Sequence, residues 1–361
     1  MIDFHKRIVA FLAVLAIFLL GYTATSLAGG DVTAKTTAIE PTTTWAVENM
    51  PEADRQHYAG EFWRLDAEDN EELPKNFRTS LDPVGKVNGI LLDSTGMDKL
   101  KISGSGQMSE SGMEGLLETI RTKTDVPIYI VDLRQETHGY LDGTAVSWYG
   151  KRNWGNIGKK TEDIIKAESV LLQDALAVET NVYPLDKSKH KAEDSVLTFT
   201  PVETKTEAEV AAEYGANYFR ITSTDHIWTS PENIDRFIAF YKTLPNDVWL
   251  HFHCMAGEGR TTTYMVLYDI LKNGKNVSLA DIAARQYVIG GIDIMATSES
   301  NKMVHGVDSP AVDKELNSWK QSFGQERTEM IPLFYQYVRE NPNFAVTWSE
   351  WLHNVKKQYD F

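Results

Sequence analysis

The chain has 361 residues, of which 42% are hydrophobic and 11% aromatic, and this composition is ample for a buried core. The net charge of −15 argues against nucleic acid and against an anionic membrane surface as partners, because both repel an acidic protein. The single cysteine cannot form an internal disulfide, so its thiol is inert, intermolecular or reactive.

Residues 1–28 have the layout of a secretory signal peptide. Lys6 and Arg7 precede an apolar run over residues 8–20, and Ser-Leu-Ala at 26–28 is a small-x-small cleavage signal. The apolar run is too short for a good membrane span, and an uncleaved N-terminal anchor is the alternative interpretation. We therefore expect a secreted or periplasmic protein with no stable membrane association after cleavage.

Residues 29–44 differ in composition from the rest of the chain. They contain no large apolar residue except Val32 and Ile39, which predicts a flexible leader. A folded catalytic domain is expected over residues 45–361.

Within this domain, predicted strands alternate with predicted helices. In chain order the patterns predict a strand at 86–93, a helix at 109–124, a strand at 127–133, a helix at 161–179, a strand at 217–222, a helix at 230–244, a strand at 247–253, a helix at 261–273, and further helices at 278–289, 327–340 and 347–359. This alternation predicts an α/β fold whose central, mostly parallel sheet is flanked by helices on both faces. The stretches 140–160 and 181–202 do not fit the rhythm and predict a small β-rich subdomain.

The chemistry of the chain converges on its cysteine. The segment WLHFHCMAGEGRTTTYMVLYDIL leads from a strand through Cys254 and five further residues to Arg260 and into a helix. Gly257 and Gly259 allow a tight loop whose backbone N–H groups point inward, which is an anion cradle at a helix N-terminus. Arg260 adds a planar fork that matches two phosphate oxygens. The positive field of such a loop favours the nucleophilic thiolate, so the same loop binds a phosphoryl group and activates the atom that attacks it.

The neighbours of the cysteine have supporting parts in this hypothesis. The Thr261 hydroxyl is expected to hydrogen-bond the sulfur, and His253 to orient the loop through hydrogen bonds to backbone groups. The loop itself is predicted to contact the phosphate through Met255, Ala256, Gly257, Glu258 and Gly259.

A thiolate that attacks a phosphomonoester expels an alkoxide, so an acid is needed on the opposite side. The segment RITSTDHIWTSPENIDRF supplies Asp225, which follows a predicted strand 29 residues before Cys254. It lies in a loop with Trp228 and Pro231 that is suited to closing over a substrate. A lone loop aspartate is more often structural, and it is the pairing with the phosphate loop that makes Asp225 the predicted general acid.

Three motifs together carry a family resemblance. H-C-x-x-G-x-G-R-T-T-T, with T-D-H-x-W before it and V-D-L-R-Q-E-T-H-G-Y upstream, resembles the cysteine phytases, which are secreted bacterial inositol polyphosphatases of the protein-tyrosine-phosphatase-like superfamily. The resemblance runs from about Asn76 to Gly291. It implies a protein-tyrosine-phosphatase-like core with a small β subdomain.

The resemblance also implies roles for individual residues. Cys254 would be the nucleophile, Arg260 the phosphate ligand and Asp225 the acid. Three further residues fall where the family contacts its polyphosphorylated substrate, namely Arg78, Lys189 and His226. Two positions depart from the family pattern: Glu258 stands where an uncharged residue is expected, and Asn153 where aspartate is expected.

A polyanionic substrate requires basic groups at the mouth of the site, because the protein as a whole is acidic. The densest basic cluster is DKSKHK, with Lys187, Lys189, His190 and Lys191. The suspected β subdomain adds Lys151, Arg152, Lys159 and Lys160 to this cluster, and the weaker candidates are Lys320 and Arg327. Taken singly, each basic run is more often a solvated loop.

Other polar residues are interpreted as structural. His251 is expected to face the core, Arg134 and Glu136 to brace the phosphate loop, and Arg285 and Gln286 to form a pair on a helix. The sequence contains no cluster of His, Cys or Asp at metal-ligand spacing, so neither a metal nor another cofactor is expected.

The leading functional hypothesis is a secreted phosphomonoesterase. It would remove phosphates stepwise from myo-inositol hexakisphosphate (phytate) and lower inositol polyphosphates through a cysteinyl-phosphate intermediate, with this small molecule as its partner and no nucleic acid. One alternative is a secreted protein-tyrosine or dual-specificity phosphatase, which needs a deep slot for an aromatic ring and a less basic rim. The other alternative is a phosphate-binding pseudoenzyme.

Overall fold

The computed structural model describes residues 41–87, 89–186, 191–192, 196–296 and 320–358. The predicted signal peptide, most of the predicted leader and Lys189 with its neighbours at 187–190 lie outside the described residues. None of the helices within the described ranges is both long enough and apolar enough to cross a membrane.

The helices are given in chain order with our labels. They are α1 (Thr44–Glu48), α2 (Glu52–Arg55), α3 (Met97–Leu100), α4 (Glu110–Arg121), α5 (Thr161–Ala175), α6 (Glu207–Glu213), α7 (Pro231–Thr243), α8 (Gly259–Asn273), α9 (Leu279–Val288), α10 (Gln321–Glu340) and α11 (Trp348–Gln358). Short 3-10 turns cover Gln56–Tyr58 and Lys151–Asn153.

The strands are labelled in the same way. They are β1 (Gly60–Ala67), β2 (Arg78–Thr79), β3 (Lys86–Val87), β4 (Ile90–Leu91), β5 (Ile102–Ser105), β6 (Ile128–Asp132), β7 (His138–Leu141), β8 (Thr144–Gly150), β9 (Thr180–Tyr183), β10 (Leu185–Asp186), β11 (Lys191–Ala192), β12 (Leu197–Phe199), β13 (Thr204–Lys205), β14 (Asn217–Arg220) and β15 (Trp249–His253).

A five-stranded central sheet has the order β14-β6-β15-β5-β2. The first four of these strands are parallel, and β2 is antiparallel at the edge. Alternate residues of β15 pack on opposite sides: Leu250 and Phe252 join the core around α7 and α8, whereas Trp249 joins the core around α4 and α6. Burial on both faces explains why β6 reads as a nearly continuous apolar run, and it confirms the predicted α/β class.

The carboxyl ends of the four parallel strands meet at one edge of this sheet. In register, His253 at the end of β15 is the partner of Asp132 in β6 and of Ser105 in β5, and Arg220 at the end of β14 is also the partner of Asp132. The segments after β5, β6, β14 and β15 therefore begin side by side. In such sheets this edge is where ligands bind.

Helix α8 runs through the centre of the larger core. All its residues from Arg260 to Leu271 are buried, so its apolar character is not confined to one face. The Cγ2 methyl of Thr261 and the sulfur of Met265 lie against Gly104 of β5, where an added Cβ would come within 2.7 and 2.5 Å of them. Close packing of this helix on the sheet fixes the position of the loop that precedes it.

A second sheet has six strands in the order β12-β9-β1-β8-β7-β13. Strands β7, β8, β9 and β12 come from the stretches for which a β-rich subdomain is expected, and they pair antiparallel within this sheet apart from the parallel contact of β9 with β1. Strand β1 has no counterpart in the sequence-based expectations, although it lies at the middle of the sheet.

Two expectations about local structure were wrong. Within residues 86–93, strands β3 and β4 pair with each other in a separate two-stranded sheet and not with the central sheet, and Ile90 and Leu91 are 70% and 69% exposed. The strand next to β15 is β5, Ile-Ser-Gly-Ser, whose small residues admit α8 and leave almost no hydrophobic signal. The predicted leader also extends too far, since Thr43 caps α1 and Thr44 is buried.

Candidate active site

The cysteine loop connects the end of β15 with the start of α8. Each of the four carbonyl groups of residues 255–258 accepts a hydrogen bond from outside the loop. The donors, in order, are Gln107 N at 3.1 Å, Asn76 Nδ2 at 2.8 Å, Arg78 Nη1 at 2.8 Å and Thr262 N at 2.9 Å. Because C=O and N–H point in opposite directions across a trans peptide, the amide groups of residues 256–259 face the inside of the loop.

A single glycine makes this curvature possible. Gly257 has a φ of 76° and packs so closely on the end of β5 that a Cβ would lie 2.4 Å from the nitrogen of Gly106. Any other residue would be strained in its backbone and would collide with the strand. The inward amides and the start of α8 together form the anion cradle that the sequence predicts.

Cys254 lies at the base of this cradle and is 3% exposed. The Thr261 hydroxyl donates a hydrogen bond to its Sγ at 3.2 Å. A donor at this position stabilises negative charge on sulfur, both in a thiolate and in a thiolate that leaves a phosphorus atom. The structure thus brings together the two groups that the sequence pairs.

Arg260 is held by a bidentate pair with Glu136. Its Nη1 and Nη2 donate to Oε2 and Oε1 of Glu136 at 2.7 and 2.9 Å, and Nη1 also donates to the carbonyls of Leu133 and Ser223. Burial acts to raise the pKa of Glu136, but Arg260 and Arg134 outweigh it and hold that pKa well below its usual range. The guanidinium is therefore oriented before any anion binds, as expected for Glu136.

Asp225 lies beside Arg260. Its Oδ1 is 3.2 Å from Nε of Arg260, and its Oδ2 accepts a hydrogen bond from Asn153 Nδ2 at 2.7 Å. Burial acts to raise the pKa of Asp225, but the charge of Arg260 and smaller contributions from other neighbours outweigh burial. The net effect is a lowered pKa. The indole of Trp154 donates to the Asp225 carbonyl at 2.9 Å and fixes the backbone.

His226 lies next to the predicted acid and faces the same space. Its Nε2 is 3.5 Å from Oδ2 of Asp225, and a quarter of its side chain is exposed. Burial lowers the pKa of His226 to about 4, and the opposing effect of Asp225 is smaller. At neutral pH its imidazole is therefore uncharged, with one ring nitrogen a donor and the other an acceptor.

The N-terminal helix α1 holds the acid loop from outside. The Thr44 hydroxyl donates to the carbonyl of Trp228 at 3.2 Å, and Thr224 donates to Oε1 of Glu48 at 2.7 Å. Val47 between them packs in one buried cluster with Ile227. Both ends of the segment 224–228 are thus close to residues of α1.

Two predicted site residues have other contacts than expected. Arg78 is 1% exposed, and its terminal nitrogens donate to the carbonyls of Asn76 and Gly257 and to the Thr262 hydroxyl, so it holds the loop from beneath. A direct contact of Arg78 with substrate stays a prediction. His253 was expected to bind backbone groups, but its Nε2 lies 2.5 Å from Oε1 of Glu207, a carboxylate at the start of α6.

The remaining candidates lie around the mouth of the loop. Glu258 is exposed, so its carboxylate is directed toward solvent, and Met255 is half-buried. Arg327 of α10 approaches both loops, since its Nη2 is 3.5 Å from the carbonyl of His226 and would lie 3.9 Å from a Cβ on Gly259. From the sequence, Arg327 was only a weak candidate for this surface.

The interpretations of the structural polar residues agree with the contacts. The imidazole of His251 is fully buried between the hydroxyls of Ser103 and Ser105, at 2.9 and 3.0 Å. Arg285 and Gln286 both bind the carboxylate of Asp269.

A buried group of charges beneath the loop was missed in the sequence. Within the described part of the chain, Asp132, His138 and Glu207 place one ligand atom each close enough together to hold a cation. Burial and Arg134 act to lower the pKa of His138, but Asp132 and Glu168 raise it to about 9. The protonated imidazole itself therefore supplies positive charge among these carboxylates. Asp132 and His138 belong to the V-D-L-R-Q-E-T-H motif, whereas nothing in the sequence links them to Glu207.

This histidine predicts a pH dependence of stability. Since the pKa of His138 is about 9 in the folded protein and about 6.5 in an unfolded chain, its contribution is fully present below pH 6.5 and is lost as the pH rises through 9. A difference of this size corresponds to about 3 kcal/mol. We expect the urea concentration at the unfolding midpoint of the wild type to decrease as the pH is raised from 6.5 to 9.5. For His138→Gln this midpoint should be lower at pH 6.5 and should change less over the same pH range. Parallel pH dependences in both proteins would contradict this assignment.

Comparisons with known proteins agree with this geometry. The family model described as PTPlike_phytase: Inositol hexakisphosphate matches residues 131–272. The tandemly repeated protein tyrosine phosphatase like phytase from Mitsuokella multacida is 38% identical with a TM-score of 0.73, covering 86% of this chain and 52% of that one. A second structure of a Mitsuokella multacida enzyme, in complex with myo-inositol-(1,3,4,5)-tetrakisphosphate, has a TM-score of 0.72 at 38% identity, with the same coverage of 86% and 52%.

Two further relatives extend the comparison. A PTP-like phytase from Bdellovibrio bacteriovorus is 28% identical with a TM-score of 0.61, covering 82% of this chain and 96% of that one. Effector protein hopD2 of Pseudomonas syringae pv. tomato is 28% identical over 284 residues, which are 76% of this chain and 56% of the relative. The chain thus spans about half the length of the Mitsuokella and Pseudomonas relatives.

Proposed function

Because the chain belongs to the protein-tyrosine-phosphatase-like phytase family, we propose that it hydrolyses the phosphomonoesters of inositol polyphosphates, one phosphate at a time. The observation that carries the proposal is the arrangement at the carboxyl edge of the central sheet. A thiol lies at the base of an amide-lined loop, and Arg260 and Asp225 are 3.2 Å apart at its mouth. A phosphate ester in the loop would meet the nucleophile from below and the acid from the side of the leaving group.

The proposed reaction has two steps that use the same groups. The Cys254 thiolate attacks phosphorus, an S–P bond forms, and the P–O ester bond breaks while its oxygen takes a proton from Asp225. Water then attacks the cysteinyl-phosphate, giving its proton to Asp225, and the S–P bond breaks to release inorganic phosphate. The inward amides and Arg260 hold the three equatorial oxygens in both steps. The Thr261 hydroxyl stabilises the thiolate that leaves in the second step.

Charge around the loop supports a polyphosphorylated substrate. Arg327 is near both the phosphate loop and the acid loop, and Lys320 is close enough to His226 to lower its pKa. These groups could bind phosphates that are not being cleaved. The basic run at 187–191, predicted from sequence to do the same, falls outside the described residues except for the backbone of Lys191.

The proposed site of action is outside the cytoplasm. The support for this step is the N-terminal sequence alone, with its basic start, apolar run and small residues at 26–28. N-terminal sequencing of protein from the culture fluid or periplasm tests it, and we expect the mature chain to begin near residue 29. Recovery of the full chain only from the cytoplasm would contradict secretion.

A competition between substrates tests the proposed specificity. We expect kcat/KM for phytate to exceed that for a phosphotyrosine peptide by at least about tenfold at low salt. The preference should shrink as salt is added, because exposed charge contacts are screened. The Cys254→Ser protein, assayed in parallel, measures contamination by other phosphatases. A preference for the peptide that does not change with salt would overturn the assignment.

A protein phosphatase is the second candidate function. The observation behind it is that 76% of this chain is similar to a Pseudomonas syringae pv. tomato protein named as an effector. The substrate competition described above decides between the two functions.

A further inference from the structure

Seven side chains beneath the active site form a closed ring of contacts. In order around the ring they are Arg260, Glu136, Arg134, Asp66, Arg64, Asn153 and Asp225, which returns to Arg260. Six of the seven contacts measure 2.7–2.9 Å, and the seventh, between Asp225 and Arg260, measures 3.2 Å. Arg64 and Asp66 belong to β1, so the ring joins the phosphate ligand and the predicted acid through the six-stranded sheet.

Asn153 is the one uncharged member, and its orientation is determined by its neighbours. Arg64 donates from Nη1 to Oδ1 of Asn153 at 2.9 Å. A guanidinium has donors and no acceptor, so the amide oxygen must face Arg64. The amide NH₂ is consequently turned to Asp225, where Nδ2 donates to Oδ2 at 2.7 Å. A flipped amide would put NH₂ against a guanidinium and an oxygen against a carboxylate.

This orientation ties one oxygen of Asp225 to the ring. Oδ2 accepts from Asn153, whereas Oδ1 faces Arg260 and accepts from the backbone N–H of His226 at 3.0 Å. We propose that Arg64 and Asn153 are positioning residues that hold the Asp225 carboxyl, through Oδ2, in the orientation from which it protonates the leaving group. The proposal rests on the proposed function for its chemistry.

The backbone conformation at Asn153 is one that few side chains tolerate. Arg152 and Asn153 have φ values of 63° and 61°, in the left-handed region that non-glycine residues seldom adopt. Asparagine is among the side chains that tolerate it, and Asn153 is 7% exposed. Glycine and aspartate tolerate the same conformation, so both can replace Asn153 with little backbone strain.

The other charged groups near Asp225 are known. Arg260 approaches it from the start of α8, Glu136 lies in the segment after β6, and His226 lies next to it in the chain. Tyr149 of β8 lies across the Arg64 guanidinium, 5.2 Å from ring centre to Cζ. Asn153→Asp would add a carboxylate against Oδ2. Like charges at this distance disfavour two ionised groups, so the pKa of Asp225 should rise.

Three substitutions test the proposal in the full chain. Asn153→Asp should move the alkaline limb of the kcat/KM profile upward by about one pH unit or more. Asn153→Gly should lower kcat about tenfold for an alkyl phosphate, which needs the proton, and much less for p-nitrophenyl phosphate. Arg64→Lys keeps a cation for Asp66 but lacks the fork that reaches Asn153, so it should behave like Asn153→Gly.

A direct titration separates this inference from the proposed function. In the Cys254→Ser background, the carbon-13 signal of the Asp225 carboxyl should titrate at higher pH when Asn153→Asp is added. An unchanged titration, or an equal loss for alkyl and aryl phosphates in Asn153→Gly, would overturn the positioning role. If the wild type hydrolyses no phosphomonoester, the proposed function fails, and the titration still decides whether Asn153 controls Asp225.

Discussion

Cys254→Ser is expected to abolish turnover of every phosphomonoester, with a loss in kcat on the order of 10⁴–10⁶, the scale found when a nucleophile is removed. A serine hydroxyl stays protonated under conditions in which an activated thiol ionises, so the attacking atom is lost although the shape of the loop is kept. Phosphate binding should persist, because its donors are the backbone amides and Arg260. Steady-state kinetics and calorimetry with phytate measure the two properties separately.

A trapping experiment tests the covalent step itself. Rapid acid quench of the wild type during turnover should leave phosphate on the tryptic peptide that contains Cys254, and the serine variant should leave none. Turnover by Cys254→Ser within tenfold of the wild type would be incompatible with a cysteinyl-phosphate mechanism.

Asp225→Asn has the second-largest expected effect, a fall in kcat by 10²–10⁴, the usual contribution of a general acid. The change removes the transferable proton and keeps the size of the side chain, and the new amide oxygen can still accept the hydrogen bond from Asn153. The loss should be smaller for p-nitrophenyl phosphate, whose leaving group needs less protonation. The alkaline limb of the pH profile should disappear, because the carboxyl group whose loss of a proton produces that limb is no longer present.

A matched control separates this effect from a general loss of charge. Asp98 is exposed at the start of α3, away from the loop segments described above, and Asp98→Asn should leave both substrates unaffected. An equal loss for alkyl and aryl substrates in Asp225→Asn would mean that Asp225 holds Arg260 in place and does not protonate the leaving group.

Particular residues show how much of the site and the fold could be predicted from the sequence. Cys254, Arg260 and Thr261 were predictable because a strand, a glycine-containing loop and a helix are contiguous in the chain, and contiguity determines their geometry. Asp225 was predictable only through its pairing with the loop. β5 was missed because the residues that admit α8 are small, and small residues carry no hydrophobic pattern.

The partners of the site were harder to predict than its members. Glu207 beneath His253, and Arg64 beside Asn153, come from strands and helices that meet only in the fold. The contacts of Arg78 with the Gly257 carbonyl and the Thr262 hydroxyl were likewise not indicated by any local pattern. Pairings of this kind depend on the order of the strands in each sheet, and the local hydrophobic pattern of the sequence does not indicate that order.

The attachment of α1 to the acid loop has a thermodynamic consequence for recognition. Ordering the backbone costs about 1–2 kcal/mol per residue, and a lid that closes on its ligand meets this cost at every encounter. Here Thr44 and Glu48 hold residues 224–228 in place as soon as the chain folds. The entropy cost of ordering that segment is therefore part of the free energy of folding, and it does not reduce the affinity for a substrate.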